Sequence, residues 1–168
     1  KVIIGGALAN NFLAAAGYQI GKSLVSASGI KLAKKLMKKN VVLPIDVVVQ
    51  SEDGVKTKTA DSVLSEDIIY DLGEDTVMML KSYIENAKTI LWNGPFGNYE
   101  KDFEEGTEAV AQLVADSEGF SVIGGGDTVA AVNNLGLSDK FEFISIGGGS
   151  MLTFLEKGTT PALEVLEK

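Results

Sequence analysis

Short runs rich in β-branched residues alternate with longer amphipathic or alanine-rich stretches, and glycines stop the runs. This alternation is typical of strands that are each followed by a helix. Several runs lack polar alternation, as expected of strands covered by helices on both faces. The sequence therefore predicts an α/β fold with a parallel sheet flanked by helices. The predicted strands are residues 2–4, 41–49 with a bend at Pro44, 89–93, 120–123 and 141–146.

The segments between these runs have the periodicity of amphipathic helices. The lysines of the second predicted helix indicate a solvated face rather than a binding stripe. Residues 50–61, QSEDGVKTKTAD, predict a surface excursion or a small hairpin rather than a linker between domains. The predicted helices are residues 8–16, 26–39, 74–87, 106–117, 128–134, 151–157 and 161–167.

The amino-acid composition argues against several classes of function. The 168 residues are 45% hydrophobic and 23% charged, which fits one folded domain over residues 1–168. The net charge of -8 argues against nucleic-acid binding. Neither a membrane span nor a signal peptide is evident, so we expect a cytoplasmic protein without membrane contact. The sequence has no Cys, His or Arg, which excludes thiolate or imidazole zinc sites, Ser-His-Asp triads and arginine clamps built from this chain alone.

Three predicted strands run into two or three glycines and then a helix: VIIGGALANNF, FSVIGGGDTVAAV and FISIGGGSMLTFL. Glycines at this position let the first amides of a helix bind an anion, although they also serve simply as tight turns. Because all three turns fall at the carboxyl edge of a parallel sheet, where α/β proteins bind ligands, we favour a ligand site.

Two acidic residues, one in the second glycine turn and one in a separate loop, have alternative roles. Asp127 is either an N-cap of its helix or a magnesium ligand next to bound phosphates. Glu100 ends the rigid segment LWNGPFGNYE and is either a ribose-binding carboxylate or an exposed residue without a role. Trp92 and Phe96 of the same segment are interpreted as core residues.

The segment AGYQIGKS, residues 16–23, differs from a P-loop signature by Ala16 in place of the first glycine. A P-loop follows a strand, whereas a predicted helix precedes this segment. We therefore interpret Gly17 as the C-terminal cap of that helix and expect no phosphate contact from Lys22.

In order, the motifs IIGGALANNFL, LPIDVVV, TILWNGPFGNYE, VIGGGDTVAAV and ISIGGGSMLTFLEKG resemble the C-terminal, nucleotide-binding domain of phosphoglycerate kinases. The resemblance implies a Rossmann-like three-layer fold and a monomer. It also implies phosphoryl transfer between 1,3-bisphosphoglycerate and ADP, in glycolysis, with Mg²⁺ bound with ATP or ADP.

The family's functional residues can be placed on matching positions of this chain. Asp127 matches the family's magnesium ligand, and Glu100 matches the carboxylate on the ribose. The turn of Gly147, Gly148 and Gly149 matches the catalytic amides that face the transferred phosphoryl group. The residues matching the rest of the nucleotide site are Gly5, Gly6, Gly73, Asn93, Pro95, Gly97, Asn98, Gly125, Gly126 and Thr128.

The chain departs from the family pattern at Ala7, Glu74, Asn98, Ile146 and Ser150, which puts nucleotide preference in doubt. Family members also carry an N-terminal domain that binds phosphoglycerate, and Lys1 matches a position already inside a βα unit. We therefore expect a fragment that binds Mg-nucleotide without turnover. Two alternatives are a dinucleotide-binding redox domain, which the absence of G-x-G-x-x-G spacing disfavours, and a module without nucleotide binding.

Overall fold

The structure is a computed structural model that describes residues 1–166. Residue 167, the end of the last predicted helix, lies outside the described residues. None of the helices within residues 1–166 has the length and apolar character that a membrane crossing requires. In chain order the elements are β1 (Val2–Ile3), α1 (Gly6–Ala16), α2 (Ala27–Leu36), β2 (Val41–Val42), β3 (Asp46–Ser51), β4 (Gly54–Thr59), β5 (Ile68–Leu72), α3 (Glu74–Glu85), β6 (Thr89–Asn93), α4 (Glu105–Ala115), β7 (Phe120–Gly124), α5 (Gly126–Asn134), β8 (Phe143–Ser145), α6 (Gly148–Lys157) and α7 (Pro161–Leu166).

A parallel sheet of order β6-β7-β8, flanked by helices, confirms the predicted α/β class. Its central strand contributes Ile123, which is fully buried. Helices α3, α4 and α5 pack their apolar faces into the same core through Leu80, Val110 and Val132. Trp92 and Phe96 stack in this core with ring centroids 5.8 Å apart, which confirms that both are core residues.

The other parallel strands form a separate pair, β1 with β2. In the described chain this pair is not hydrogen-bonded to the β6-β7-β8 sheet. An apolar cavity of about 1020 Å³ is lined by residues of both β1 and β6. Ile3 and Val42 nevertheless pack against the core of the larger sheet, so the pair and the sheet share one core.

The single strand predicted over residues 41–49 is wrong. The segment divides around Pro44 into β2 and β3, and the two halves belong to different sheets. Strand β3 is antiparallel to β4 and to β5, a strand that the sequence reasoning missed. The β3-β4 pair confirms the predicted hairpin, with Ser51 opposite Gly54 at the turn.

A buried carboxylate fastens this antiparallel sheet. The Asp67 side chain is almost fully buried and accepts hydrogen bonds from Lys58 Nζ at 2.6 Å and from Ser51 Oγ at 2.5 Å. The backbone amide of Leu64 donates a third, at 2.7 Å. Burial alone would raise the pKa of Asp67, but these donors outweigh it and lower the pKa to about 2. The carboxylate therefore stays ionised in the folded chain at neutral pH.

The segment that resembles a P-loop joins two helices, as expected. Gly17 ends α1 in the left-handed region, with φ 96°, and its amide donates to the Ala14 carbonyl. Ser26 caps α2 by accepting a hydrogen bond from the Gly29 amide at 3.0 Å. Both predicted features, the helical lead-in and the glycine C-cap, are confirmed.

The Gly-Lys-Ser part of this segment is held by structural contacts. A Cβ on Gly21, whose φ is +55°, would lie 2.1 Å from the Asp67 carbonyl oxygen, so only glycine fits without displacement. The Lys22 amide donates to that carbonyl at 2.8 Å. The hydroxyl of Ser23 accepts a hydrogen bond from the Ile69 amide at 2.8 Å. The three residues thus attach the α1-α2 connection to β5.

Candidate functional site

The carboxyl ends of β6, β7 and β8 lie side by side. Asn93, Gly124 and Ser145 are neighbours in the strand register. Because the strands are parallel, the turns that follow them emerge at one edge of the sheet. The glycine turns after β7 and β8 therefore meet at this edge as predicted, together with the loop that follows β6. The prediction that all three glycine turns lie at the edge of one sheet is wrong, because the strand before the first turn, β1, pairs with β2 in a separate sheet.

Close contacts fix these turns against one another. The side-chain amide of Asn93 donates to the Gly148 carbonyl at 3.2 Å. The Gly94 amide donates to Thr128 Oγ1 at 2.9 Å. A Cβ on Gly148 would lie 2.5 Å from the Gly125 Cα, so the turns after β7 and β8 are in backbone contact. Any larger residue at position 148 would separate them.

Helices α5 and α6 begin at this edge with free first turns. Their N-cap residues are Gly125 and Gly147, and in this part of the described chain no side chain caps either helix. Gly126 and Gly149 are exposed, and a Cβ at either position would meet no neighbouring atom. Backbone amides and the positive end of a helix dipole favour an anion at such a position.

Asp127 lies in the first turn of α5 and is exposed. It is not the N-cap, because that position belongs to Gly125, and its carboxylate accepts no capping hydrogen bond. The capping role considered from the sequence is therefore wrong. The carboxylate remains available to a ligand beside the free amides.

A cavity of about 480 Å³ adjoins Asp127. It lies among α1, the end of β5 and the loop that follows β6. Leu13, Val47 and Ile69 contribute to its apolar wall, and the exposed Glu100 lines it together with Asp127. The cavity therefore combines an apolar interior with carboxylates at solvent-exposed positions.

The loop after β6 is held rigidly where it lines this cavity. Thr107 Oγ1 accepts hydrogen bonds from the amides of Phe96 at 2.9 Å and Gly97 at 3.1 Å. The Asn98 amide donates to the Tyr70 carbonyl at 3.0 Å. These bonds satisfy three successive amides, so the loop has little freedom to move before a ligand arrives.

The family model of phosphoglycerate kinase matches residues 1–158. The chain belongs to the phosphoglycerate kinase family. It is 44% identical over 174 aligned positions to phosphoglycerate kinase of Haemophilus influenzae strain PittGG, and equally to that of strain Rd. The alignment covers 100% of this chain but 45% of either relative. The chain thus spans less than half the length of these phosphoglycerate kinases.

Solved structures of the family agree. The Coxiella burnetii phosphoglycerate kinase superposes with a TM-score of 0.89 at 40% identity, over 98% of this chain and 45% of that one. The Pyrococcus horikoshii phosphoglycerate kinase gives a TM-score of 0.86 at 30% identity, over 99% and 44%. The fold described above is therefore that of the corresponding part of phosphoglycerate kinases.

Some of the residues matched to phosphoglycerate kinase motifs line the 480 Å³ cavity. They are Gly6, Pro95, Gly97, Asn98, Glu100 and Asp127. The others lie at the strand ends and helix starts outside its lining: Gly5, Gly73, Asn93, Gly125, Gly126, Thr128, Gly147, Gly148 and Gly149.

Two residues of the second group have clear structural contacts. Thr128 is fully buried, and its hydroxyl positions the Gly94 amide. Gly73 is the N-cap of α3, and a Cβ there would lie 2.0 Å from an Asp46 carboxylate oxygen. That carboxylate accepts the Thr76 amide at 2.7 Å and so caps α3 from β3. Roles of Thr128 and Gly73 toward a nucleotide stay predictions.

Asp71, at the end of β5, is a cavity residue that the sequence reasoning missed. It is buried and accepts hydrogen bonds from the amides of Gly106 and Leu72, both at 2.8 Å. Burial raises the pKa of this carboxyl to about 6, despite both hydrogen bonds. Burial and the Glu108 carboxylate likewise raise the pKa of the neighbouring Tyr99 hydroxyl. Ionising Asp71 or Tyr99 in this buried wall of the cavity therefore costs free energy.

We expect Asp71 to make the folded chain lose stability as pH rises from about 4 to 6. Its pKa is higher in the folded than in the unfolded state, so the folded state binds more protons in this window, and lowering the pH favours it. Between pH 7 and pH 5 the contribution is about 1.3 kcal/mol. Urea unfolding gives the free energy of unfolding of wild type and Asp71→Asn at pH 5 and at pH 7. The change between the two pH values should be larger in wild type, and the difference between the two proteins is the contribution of Asp71. Equal changes in the two proteins would refute the assignment.

Proposed function

We propose that this chain is the nucleotide-binding part of a phosphoglycerate kinase and binds ADP or ATP together with Mg²⁺. The observation that supports this most is the 480 Å³ cavity, which has an apolar wall and adjoins Asp127 at the free start of α5. A nucleotide needs such neighbouring apolar and anion-binding surfaces. The cavity volume lies within the range of small-molecule sites.

The base and ribose are assigned to the cavity. Its walls bring Gly6 of the first glycine turn close to the Pro95 carbonyl, since a Cβ on Gly6 would lie 2.9 Å from that oxygen. Glu100, which is exposed and lines the cavity, would accept hydrogen bonds from the ribose hydroxyls.

The phosphates are assigned to the starts of α5 and α6. No lysine lines the cavity among the described residues, and the whole chain is acidic, so side-chain cations do not provide the attraction. The free amides of Gly126 and Gly149 and the two helix dipoles remain as the groups that favour negative charge.

The residues fit a magnesium ion that is shared with a nucleotide. Within residues 1–166 no group of three or more acidic residues could hold a metal by itself. Mg²⁺ commonly binds one or two carboxylates and completes its shell with water and substrate phosphates. Asp127, exposed beside the helix start, would be the protein ligand. When bound, Mg²⁺ would neutralise phosphate charge and orient the phosphates.

The parent reaction proposed is in-line phosphoryl transfer between 1,3-bisphosphoglycerate and ADP, which yields 3-phosphoglycerate and ATP. Transfer of this kind depends on positioning and charge stabilisation, without a covalent enzyme intermediate. The amides at Gly147 to Gly149 would face the phosphoryl group. Phosphoglycerate would bind through a domain that this chain does not contain, since the chain has no Arg or His.

We expect isothermal titration calorimetry to show ADP binding that Mg²⁺ strengthens. Asp127→Asn should remove the part of the affinity that depends on Mg²⁺, about tenfold in Kd, because the one carboxylate proposed as a metal ligand is lost. Asp139→Asn is the matched control, since it makes the same charge change at an exposed position outside the cavity lining. The absence of binding at millimolar nucleotide would favour a module without nucleotide binding.

The isolated chain should show no kinase turnover. The groups that bind phosphoglycerate in the family are missing here, so ATP and the second substrate cannot be brought together. A coupled assay for ADP release, with ATP, Mg²⁺ and 3-phosphoglycerate, tests this. ATP consumption by the purified chain that depends on 3-phosphoglycerate would contradict it.

A further inference from the structure

Thr107, near the start of α4, is fully buried and lies outside the lining of the 480 Å³ cavity. Its hydroxyl accepts hydrogen bonds from the amides of Phe96 and Gly97, and both of these residues line the cavity. A hydroxyl oxygen has two acceptor lone pairs, so the two bonds use its full accepting capacity. One side-chain oxygen behind the cavity wall therefore holds two successive amides of that wall.

The helix start that carries Thr107 is itself fixed against β5. The Gly106 amide donates to Asp71 Oδ2 at 2.8 Å, and a Cβ on Gly106 would lie 2.4 Å from Asp71 Oδ1. The Leu72 amide donates to Oδ1 of the same carboxylate, also at 2.8 Å. Because the buried acid binds the helix start in this way, the Thr107 hydroxyl is a fixed point for the loop that it holds.

The loop backbone packs directly against this support. A Cβ on Gly97 would lie 2.1 Å from the Phe103 carbonyl oxygen and 2.7 Å from Asp71 Cγ. The Asn98 carbonyl accepts the Phe103 amide at 3.1 Å, so the chain turns back on itself just after Gly97. Glu100 lies within this turn and lines the cavity. A shift of Gly97 would therefore carry Glu100 with it.

We propose that Thr107 is a positioning residue for nucleotide binding, whose hydroxyl holds residues 95–100 in the conformation that receives the base and the ribose. This rests on the proposed nucleotide binding. A wall that is ordered beforehand loses little conformational freedom when the ligand arrives, and such preorganisation increases affinity. Without the hydroxyl, the amides of Phe96 and Gly97 lose their acceptor, and the loop must shift to find other partners for them.

Two substitutions separate the hydroxyl from the rest of the side chain. Thr107→Val keeps the branched shape and removes the acceptor, whereas Thr107→Ser keeps the acceptor and removes the methyl group. Calorimetry should show that Thr107→Val raises the Kd of Mg-ADP about tenfold, and that Thr107→Ser stays within about twofold of wild type. Adenosine should weaken in Thr107→Val by a similar factor, because the loop is assigned to the base and the ribose rather than to the phosphates.

Ser121→Ala is the matched control for a loss of stability. Ser121 is also buried, and its hydroxyl donates to the Glu142 carboxylate at 2.7 Å, away from the cavity lining. This variant should unfold at a lower urea concentration than wild type but keep the wild-type Kd. A purely structural role for Thr107 would give the same result in Thr107→Val. A wild-type Kd in folded Thr107→Val, or equal weakening by Thr107→Ser, would overturn the proposal.

Amide hydrogen exchange of the ligand-free wild type needs no variant. The amides of Phe96 and Gly97 should have protection factors at least about tenfold above that of the Gly126 amide, since a hydrogen-bonded amide exchanges only when its bond opens. Equal protection would overturn the role of Thr107 even if Thr107→Val does not fold, and it would leave nucleotide binding intact. If wild type binds neither ADP nor adenosine, both this inference and the proposed function fail.

Discussion

The backbone contact between the turns after β7 and β8 is the constraint on which the site depends. At Gly148 a Cβ would lie 2.5 Å from the Gly125 Cα, so the two turns approach as closely as backbones can. The side chains of Asn93 and Thr128 then join the third turn to this pair. The result is that α5 and α6 start side by side with free amides, in a chain whose net charge of -8 would otherwise repel phosphates.

Two buried acids of the antiparallel sheet accept hydrogen bonds from helix amides. Asp46 on β3 caps α3, and Asp71 at the end of β5 receives the Gly106 amide at the start of α4. Both carboxylates therefore satisfy helix amides that side chains of the helices themselves leave free. Asp67, just before β5, is a third buried acid, and it accepts a hydrogen bond from Lys58 on β4. The short antiparallel sheet is thus tied to α3 and α4 by these hydrogen bonds, in addition to the apolar contacts that Ile69 and Leu72 make with the neighbouring cores.

Local patterns predicted much of the fold, because a strand that ends at glycine and is followed by a helix can be recognised from residues that are adjacent in sequence. The loop with Trp92, the three glycine turns and the helix cap at Gly17 are of this kind. Strand β5 was missed because Asp67 directly precedes it and Asp71 interrupts its short apolar run, and the burial of both acids depends on distant donors. The division at Pro44 was expected only as a bend, since the change of sheet depends on where β4 and β5 pair.

The candidate site shows the same limit. Asp127 and Glu100 could be proposed from motifs, but the burial of Asn10 could not, because both asparagines of ALANNFLAAA look like solvated positions in the sequence. Its helical spacing of four from Gly6 and three from Leu13 was the available signal. The spacing placed Asn10 on an inward face.

The central claim is that one site joins the cavity to the free starts of α5 and α6, and amide NMR tests it most directly. Titration with Mg-ADP should shift the amide signals of Gly126, Asp127 and Gly149 together with those of Gly6 and Asn98. Adenosine, which has no phosphates, should shift the signals of Gly6 and Asn98 but not those of Gly126 and Gly149. Shifts confined to the β3-β4 hairpin, or equal effects of adenosine and Mg-ADP at the helix starts, would contradict the claim.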